Sequence, residues 1–133
     1  MIRELARLLA EASPKLHPRP IAIVALDGFA LPETLAAEAL IGSFREAEGL
    51  TLYVDLAAAE TTKLRIAMTA AWITMTVNSA LDAVGFTAAF SAALAQAGIA
   101  CNVVAGARHD HLFVPWEQRL AAMAALRRLG GAS

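Results

Sequence analysis

From Ile66 to Ala107 the chain carries one charged residue, Asp82, and from Ala83 to Ala107 it carries none. Such a run is destined for burial, either in a bilayer or inside a folded domain. A bilayer-spanning helix needs about 20 apolar residues in one helical stretch. This run changes period instead: Val84 to Ala97 repeats its larger apolar residues at helical steps, Gly98 interrupts, and Ile99 to Ala105 has strand character. Gln96 and Asn102 lie inside it, and much of the remainder is Ala, Gly, Ser and Thr. The expectation is a helix and a buried strand of one folded domain, with no membrane partner.

At 133 residues and 58% hydrophobic composition, the chain is long enough for one ordinary domain or two very small ones. A globule of this size buries roughly two thirds of the surface of its unfolded chain, so it needs no disulfide or structural metal. Its single cysteine, Cys101, has no intramolecular partner, which fits a reducing compartment. The start Met1-Ile-Arg-Glu-Leu places charges where a signal peptide needs apolar residues, so a cytoplasmic location is expected. Eleven basic against twelve acidic residues leave a net charge of −1, and the longest basic run is Arg127-Arg128. That lacks the clustered positive footprint by which proteins neutralise phosphates, so no nucleic-acid partner is expected.

Ile2, Leu5, Leu8 and Leu9 fall at helical spacing opposite Arg3, Glu4, Arg7 and Glu11, which predicts an amphipathic helix over residues 1–12. Pro14, Pro18 and Pro20 mark an extended connector. Ile21 to Leu26 reads as a strand, and residues 29–38 as a loop or one or two helical turns. Alternation of Leu50, Leu52 and Val54 with Thr51, Tyr53 and Asp55 predicts a hairpin with Ala39 to Arg45 across residues 46–49. Leu56 to Thr62 is a short helix. Ala70 to Asn78 is the strongest strand, with Ile73, Met75 and Val77 on one face and Trp72, Thr74, Thr76 and Asn78 on the other. Ser79 or Asp82 caps the helix that Gly98 ends. His109 to Val114 returns antiparallel to Ile99 to Ala105, and Trp116 to Leu129 forms a last helix stopped by Gly130-Gly131.

The two halves share an order: strand, helix, strand, strand, helix. The fold class expected is α+β, two ferredoxin-like βαββα-type units, each an antiparallel sheet with helices on one face. The expected boundaries are residues 1–19 for the helix and connector, 20–66 for a first, degenerate unit, and 67–133 for the second.

The segment Val84-Gly-Phe-Thr-Ala-Ala-Phe-Ser-Ala-Ala-Leu-Ala-Gln-Ala-Gly-Ile99 resembles the helix of an ACT domain, with its Gly-led start and Leu, Gly, Ile exit. Asn102-Val-Val-Ala-Gly106 and His109-Asp-His-Leu-Phe-Val-Pro115 narrow the likeness to small bacterial tandem ACT-domain proteins of undefined function, related to the amino-acid-binding ACT modules of aspartate kinases. Phe44-Arg45-Glu46, Glu48-Gly-Leu-Thr-Leu52 and Asn78-Ser-Ala-Leu-Asp-Ala-Val-Gly85 fit the same group. The resemblance covers about residues 20–128 and implies a regulatory or sensor protein that binds a small molecule, an amino acid, rather than an enzyme. It implies a site after the first strand of the second unit, with Asn78, Ser79, Asp82, Val84, Gly85, Phe86, Asn102 and Val103 as ligand-binding residues. A helix start supplies N–H groups for a carboxylate. Asp82, Asn78 or Asn102 would accept from an ammonium, and Gly85 lets backbone approach closely.

Two other readings compete. One is a protein-interaction scaffold whose pocket is vestigial. The other is a metal-dependent enzyme using His109, Asp110 and His111, since two imidazoles two residues apart on a strand share a face. A catalytic zinc site generally takes three protein ligands and an open position, and no third ligand is evident. No cofactor is expected, and an exposed sheet edge favours a homodimer.

Overall fold

The computed structural model describes residues 1–130. It divides into two compact units, one of residues 18–70 and one of residues 1–17 together with 71–130.

In the unit of residues 18–70, strand β2 (Ile21–Asp27) is central, flanked by β4 (Gly49–Asp55) and the first residues of β5 (Ile66–Met75). Strand β3 (Leu40–Arg45) forms the far edge, giving the order β3-β4-β2-β5, all antiparallel. Alternation places Ala22, Val24, Leu52 and Val54 on one face, where they form a core with Ala59 of helix α2 (Leu56–Thr61). The first helix of a ferredoxin-like unit is missing. Residues 28–39 hold only a 3-10 turn at Ala37–Ala39, because few apolar side chains there recur at helical spacing and only Leu35 and Ala39 reach the core.

The other unit contains helix α1 (Leu5–Glu11), strand β1 (Pro14–Leu16), the later residues of β5, helix α3 (Phe86–Gln96), strands β6 (Asn102–Ala105) and β7 (Asp110–Pro115), and helix α4 (Arg119–Leu129). Its strand order is β1-β5-β7-β6. This is the ferredoxin-like arrangement again, with the fourth strand supplied by the beginning of the chain rather than its end. Ile73, Met75, Leu112 and Val114 face Leu8, Phe90, Leu94, Met123 and Leu126 of the helices in one core. The expected fold class is therefore the observed one.

Several boundaries differ from the sequence expectation. Part of the proline-rich connector is a strand: Pro14–Leu16 pairs with Ile73–Met75, an edge position where proline's missing N–H costs nothing. Strand β5 begins at Ile66 and ends at Met75, so Thr76, Val77 and Asn78 lie in the turn that follows. The buried strand expected over Ile99–Ala105 is β6 alone, an edge strand with three of its four residues exposed. Helix α4 starts at Arg119 after a 3-10 turn at Trp116–Gln118 and ends at Leu129, capped by Gly130. Gly131 of the expected Gly-Gly stop lies outside the described residues. No helix among the described residues is long and apolar enough to cross a membrane.

Candidate functional site

The chain leaving β5 is pinned rather than free. Ile2 donates its N–H to Asn78 O at 2.8 Å and accepts from Ala80 N at 2.8 Å, a two-bond clamp that fixes Ser79 with its side chain buried. Ala83 N then bonds Ala80 O, and the chain enters α3 through Gly85. Gly85 takes φ of +100° and is the N-cap, with no side-chain cap. The expected capping by Ser79 or Asp82 does not occur. Asp82 is drawn to Arg3 instead, Nε to Oδ1 2.9 Å, an exposed pair worth about 1 kcal/mol at most.

The first bond inside α3 runs from Ala89 N to Gly85 O, so the N–H groups of Phe86, Thr87 and Ala88 precede the helical ladder. Beside this helix start is a cavity of about 60 Å³. Its walls include Ser79, Ala83, Phe86, Thr87, Ala105 and Asp110. Strand β7 aims Asp110 to the helix-covered side because it is in phase with Leu112 and Val114. Asp110 is 8% exposed. Burial pushes its carboxyl above the ordinary carboxylate range, while His111 and His109 pull it back.

Of the residues expected at the site, Ser79 and Phe86 line this cavity, while Gly85 is the helix cap and has Leu5 packed against it. Asn78 contributes its carbonyl to the clamp and exposes its side chain. Asp82 and Val84 point outward, Val84 at 84% exposure. Asn102 is exposed at the far end of β6, its Nδ2 donating to Phe113 O at 3.4 Å, and Val103 packs against the core. Thr87 and Asp110 are the polar wall residues the sequence expectation lacked. The available signal was phase: a carboxylate at an i, i+2, i+4 step with Leu112 and Val114 shares their buried face.

A second polar cluster lies on the opposite face of the same sheet. Trp72 Nε1 donates to His111 Nδ1 at 3.0 Å. An indole nitrogen only donates, so His111 Nδ1 accepts and its ring proton sits on Nε2. Thr74 Oγ1 lies 3.1 Å from the same Nδ1 and 2.8 Å from His17 Nε2. The His17 ring, hydrogen-bonded to Thr74 through Nε2, stacks on Trp72 with centroids 3.6 Å apart. His109 Nδ1 donates to Val77 O at 3.2 Å. The neutral His111 thus has no free lone pair, so the two imidazoles cannot jointly ligate a metal without breaking the Trp72 bond. Cys101 is no better suited to chemistry: burial pushes its thiol up, against a smaller opposing effect of Ser91.

This cluster makes stability depend on acidity. Burial lowers the pKa of His17, aided by Lys15 and His111, and burial also lowers that of His111, aided by His109 and opposed by Asp110. The unfolded imidazoles titrate at about 6.5, so below that pH the unfolded chain binds more protons and folding weakens. Urea midpoints are expected to fall between pH 7.5 and pH 5.5. The buried Asp110 acts with the opposite sign in its own more acidic range, so the same series in Asp110→Asn isolates the histidines. A midpoint indifferent to pH in both proteins would contradict the assigned network.

Gly85→Val tests the entry to the helix. A β-branched residue is a severe outlier at φ of +100°, and a Cβ there would stand 3.1 Å from Leu5 Cδ2. A loss of about 2–4 kcal/mol in urea unfolding is expected from the backbone strain and overpacking together. A loss under about 0.5 kcal/mol would show that the turn can relax.

Two ferredoxin-like units in tandem, one with a small cavity at a helix start, are the architecture of paired regulatory-type domains rather than of a single enzyme fold. The chain belongs to the ACT domain family: family models described as ACT domain match residues 2–71 and residues 68–128. No curated protein sequence matches it. Among solved structures it is similar to a Vibrio cholerae protein of unknown function, described as a possible transport protein. That likeness has 41% identity and a TM-score of 0.81 over 92% of this chain and 93% of that one. A protein from Agrobacterium tumefaciens shares the fold at 18% identity and a TM-score of 0.76, over 90% and 89% of the two chains. The ligand-free regulatory subunit of aspartate kinase from Thermus thermophilus shares it at 15% identity and a TM-score of 0.63, over 91% and 97%.

Proposed function

We propose that this protein is a regulatory sensor that binds a free amino acid in the cavity beside the start of α3. The observation that carries the reading is a cavity where unladdered N–H groups at a helix start meet the hydroxyl residues Ser79 and Thr87. A helix N-terminus carries about half a positive charge and presents N–H donors, which suits a ligand carboxylate. The small wall residues Ala83 and Ala105 leave backbone accessible. A regulatory rather than catalytic role fits the raised thiol of Cys101 and the fully engaged Nδ1 of His111.

The reading extends to a cytoplasmic homodimer. Edge strands β3 and β6 carry exposed apolar residues, Phe44 and Val104, of the kind that side-by-side pairing covers. Sedimentation at micromolar concentration should give twice the chain mass of 14.0 kDa; a monomer would remove this part of the proposal.

Thermal unfolding of the purified protein against the twenty amino acids is the direct test. A ligand at 100 times its Kd adds about 2.7 kcal/mol to the folded state, so a few amino acids should raise Tm by several degrees. If none does, the sensor reading fails and the interaction-scaffold reading takes its place.

A further inference from the structure

We infer that Asp110 is the cation-recognising group of this cavity, and that the cavity selects a compact ligand carrying a protonated amine. The inference rests on the proposed small-molecule site and names the class of ligand that fits it.

Three observations converge. Asp110 is 8% exposed, its carboxylate takes no hydrogen bond or ion pair from another side chain among the described residues, and its oxygens are the part of it that reaches open space, since no fully buried side-chain oxygen or nitrogen there lacks a partner. A carboxylate held largely out of water gains from a hydrogen-bonding or charged companion at the oxygens it leaves open. The two histidines nearest in sequence face away: His111 is committed to Trp72 and Thr74, and His109 to Val77 O. The carboxylate lines the cavity, where a cation entering from solvent would meet it.

The second observation is the absence of any Lys, Arg or His among the residues lining the cavity. A negative wall at Asp110 and a positive one at the start of α3 then face a single small space. That field is complementary to a molecule with separated positive and negative ends. The third is size. About 60 Å³, bounded by Phe86, Ala83 and Ala105, accommodates an ammonium with a skeleton of two or three carbons, so glycine, alanine and serine are the matching class. Asp82, one of three residues the sequence offered as an ammonium partner, is occupied with Arg3 at the surface.

The test is calorimetric titration of the full chain with glycine, alanine, leucine, acetate and methylammonium, in the native protein and in Asp110→Asn and Asp82→Asn. Glycine or alanine should bind, methylammonium more weakly, and acetate and leucine at least tenfold more weakly than alanine. Asp110→Asn should weaken alanine at least tenfold, whereas Asp82→Asn should leave it within twofold. Asparagine is isosteric and removes a buried charge, so the variant should fold at neutral pH as well as the native protein. Its circular dichroism and Tm check that directly. Amino-acid binding that survives Asp110→Asn undiminished overturns the inference and keeps the sensor reading. Methylammonium binding that depends on Asp110, without any amino-acid binding, keeps the inference and overturns the sensor reading. Silence from every probe overturns both.

Discussion

Gly49→Ala is expected to unfold the unit of residues 18–70, with a cost of about 3 kcal/mol or more. A Cβ at Gly49 would stand 2.0 Å from Leu26 O and under 3 Å from Gly28 N and Gly28 O. All three are backbone atoms, so no flexible side chain can swing aside. Relief would require β4 to withdraw from β2 where Asp27 pairs with Gly49, at the end of a seven-residue ladder. Urea unfolding followed by circular dichroism should show an early transition with loss of strand signal. Gly28→Ala is the control. A Cβ at Gly28 meets nothing within 4 Å, and its φ of +81° should cost about 1 kcal/mol. Equal losses in the two variants would show that backbone crowding at Gly49 is not the determinant.

Phe90→Ala should cost about 3–5 kcal/mol, the usual range for deleting a buried aromatic ring. Phe90 is fully buried between α3 and the sheet, and its ring meets that of Phe86 edge-on at 5.2 Å. The ring's loss removes apolar burial and leaves a void, in a chain whose total stability is of order 5–15 kcal/mol. For a protein of this size Tm should fall by roughly 10–20 °C. Because Phe86 is also a wall of the cavity, the ligand-induced rise in Tm should shrink as well. Phe44→Ala, at a ring 68% exposed on edge strand β3, should leave Tm within about 2 °C. A Phe90→Ala protein that melts within 5 °C of the native one would mean the core refills the void.

Much of this architecture was legible from local pattern. Alternation in Leu50 to Asp55 marked the hairpin, and helical repeats of Phe86, Phe90 and Leu94 ending at Gly98 marked α3. The division of Ile73 and Met75 from Trp72 and Thr74 marked the two faces of β5. These are one-dimensional signals, because side-chain period and backbone geometry within an element are linked directly. The uncharged run from Ala83 to Ala107 was likewise decided by its own change of period, which becomes α3 and β6.

The candidate site was less legible. Of the expected residues Ser79 and Phe86 line the cavity, whereas Asn78, Asp82, Gly85 and Asn102 do not, and Thr87 and Asp110 join it unannounced. Sequence position does not reveal that Arg3, 79 residues away, takes Asp82, or that Ile2 clamps the turn at Ser79. It does not reveal either that Trp72 sets the tautomer of His111.

The sequence by itself determined most of the helices and strands and the buried faces of β4, β5 and α3, since each depends on residues a few positions apart. Only the tertiary structure decided that Pro14–Leu16 completes the sheet beside Ile73–Met75, and that a carboxylate on β7 stands at the start of α3. Both depend on residues far apart in the chain that meet only when strand pairing and helix packing are complete. No period along the sequence encodes that distance.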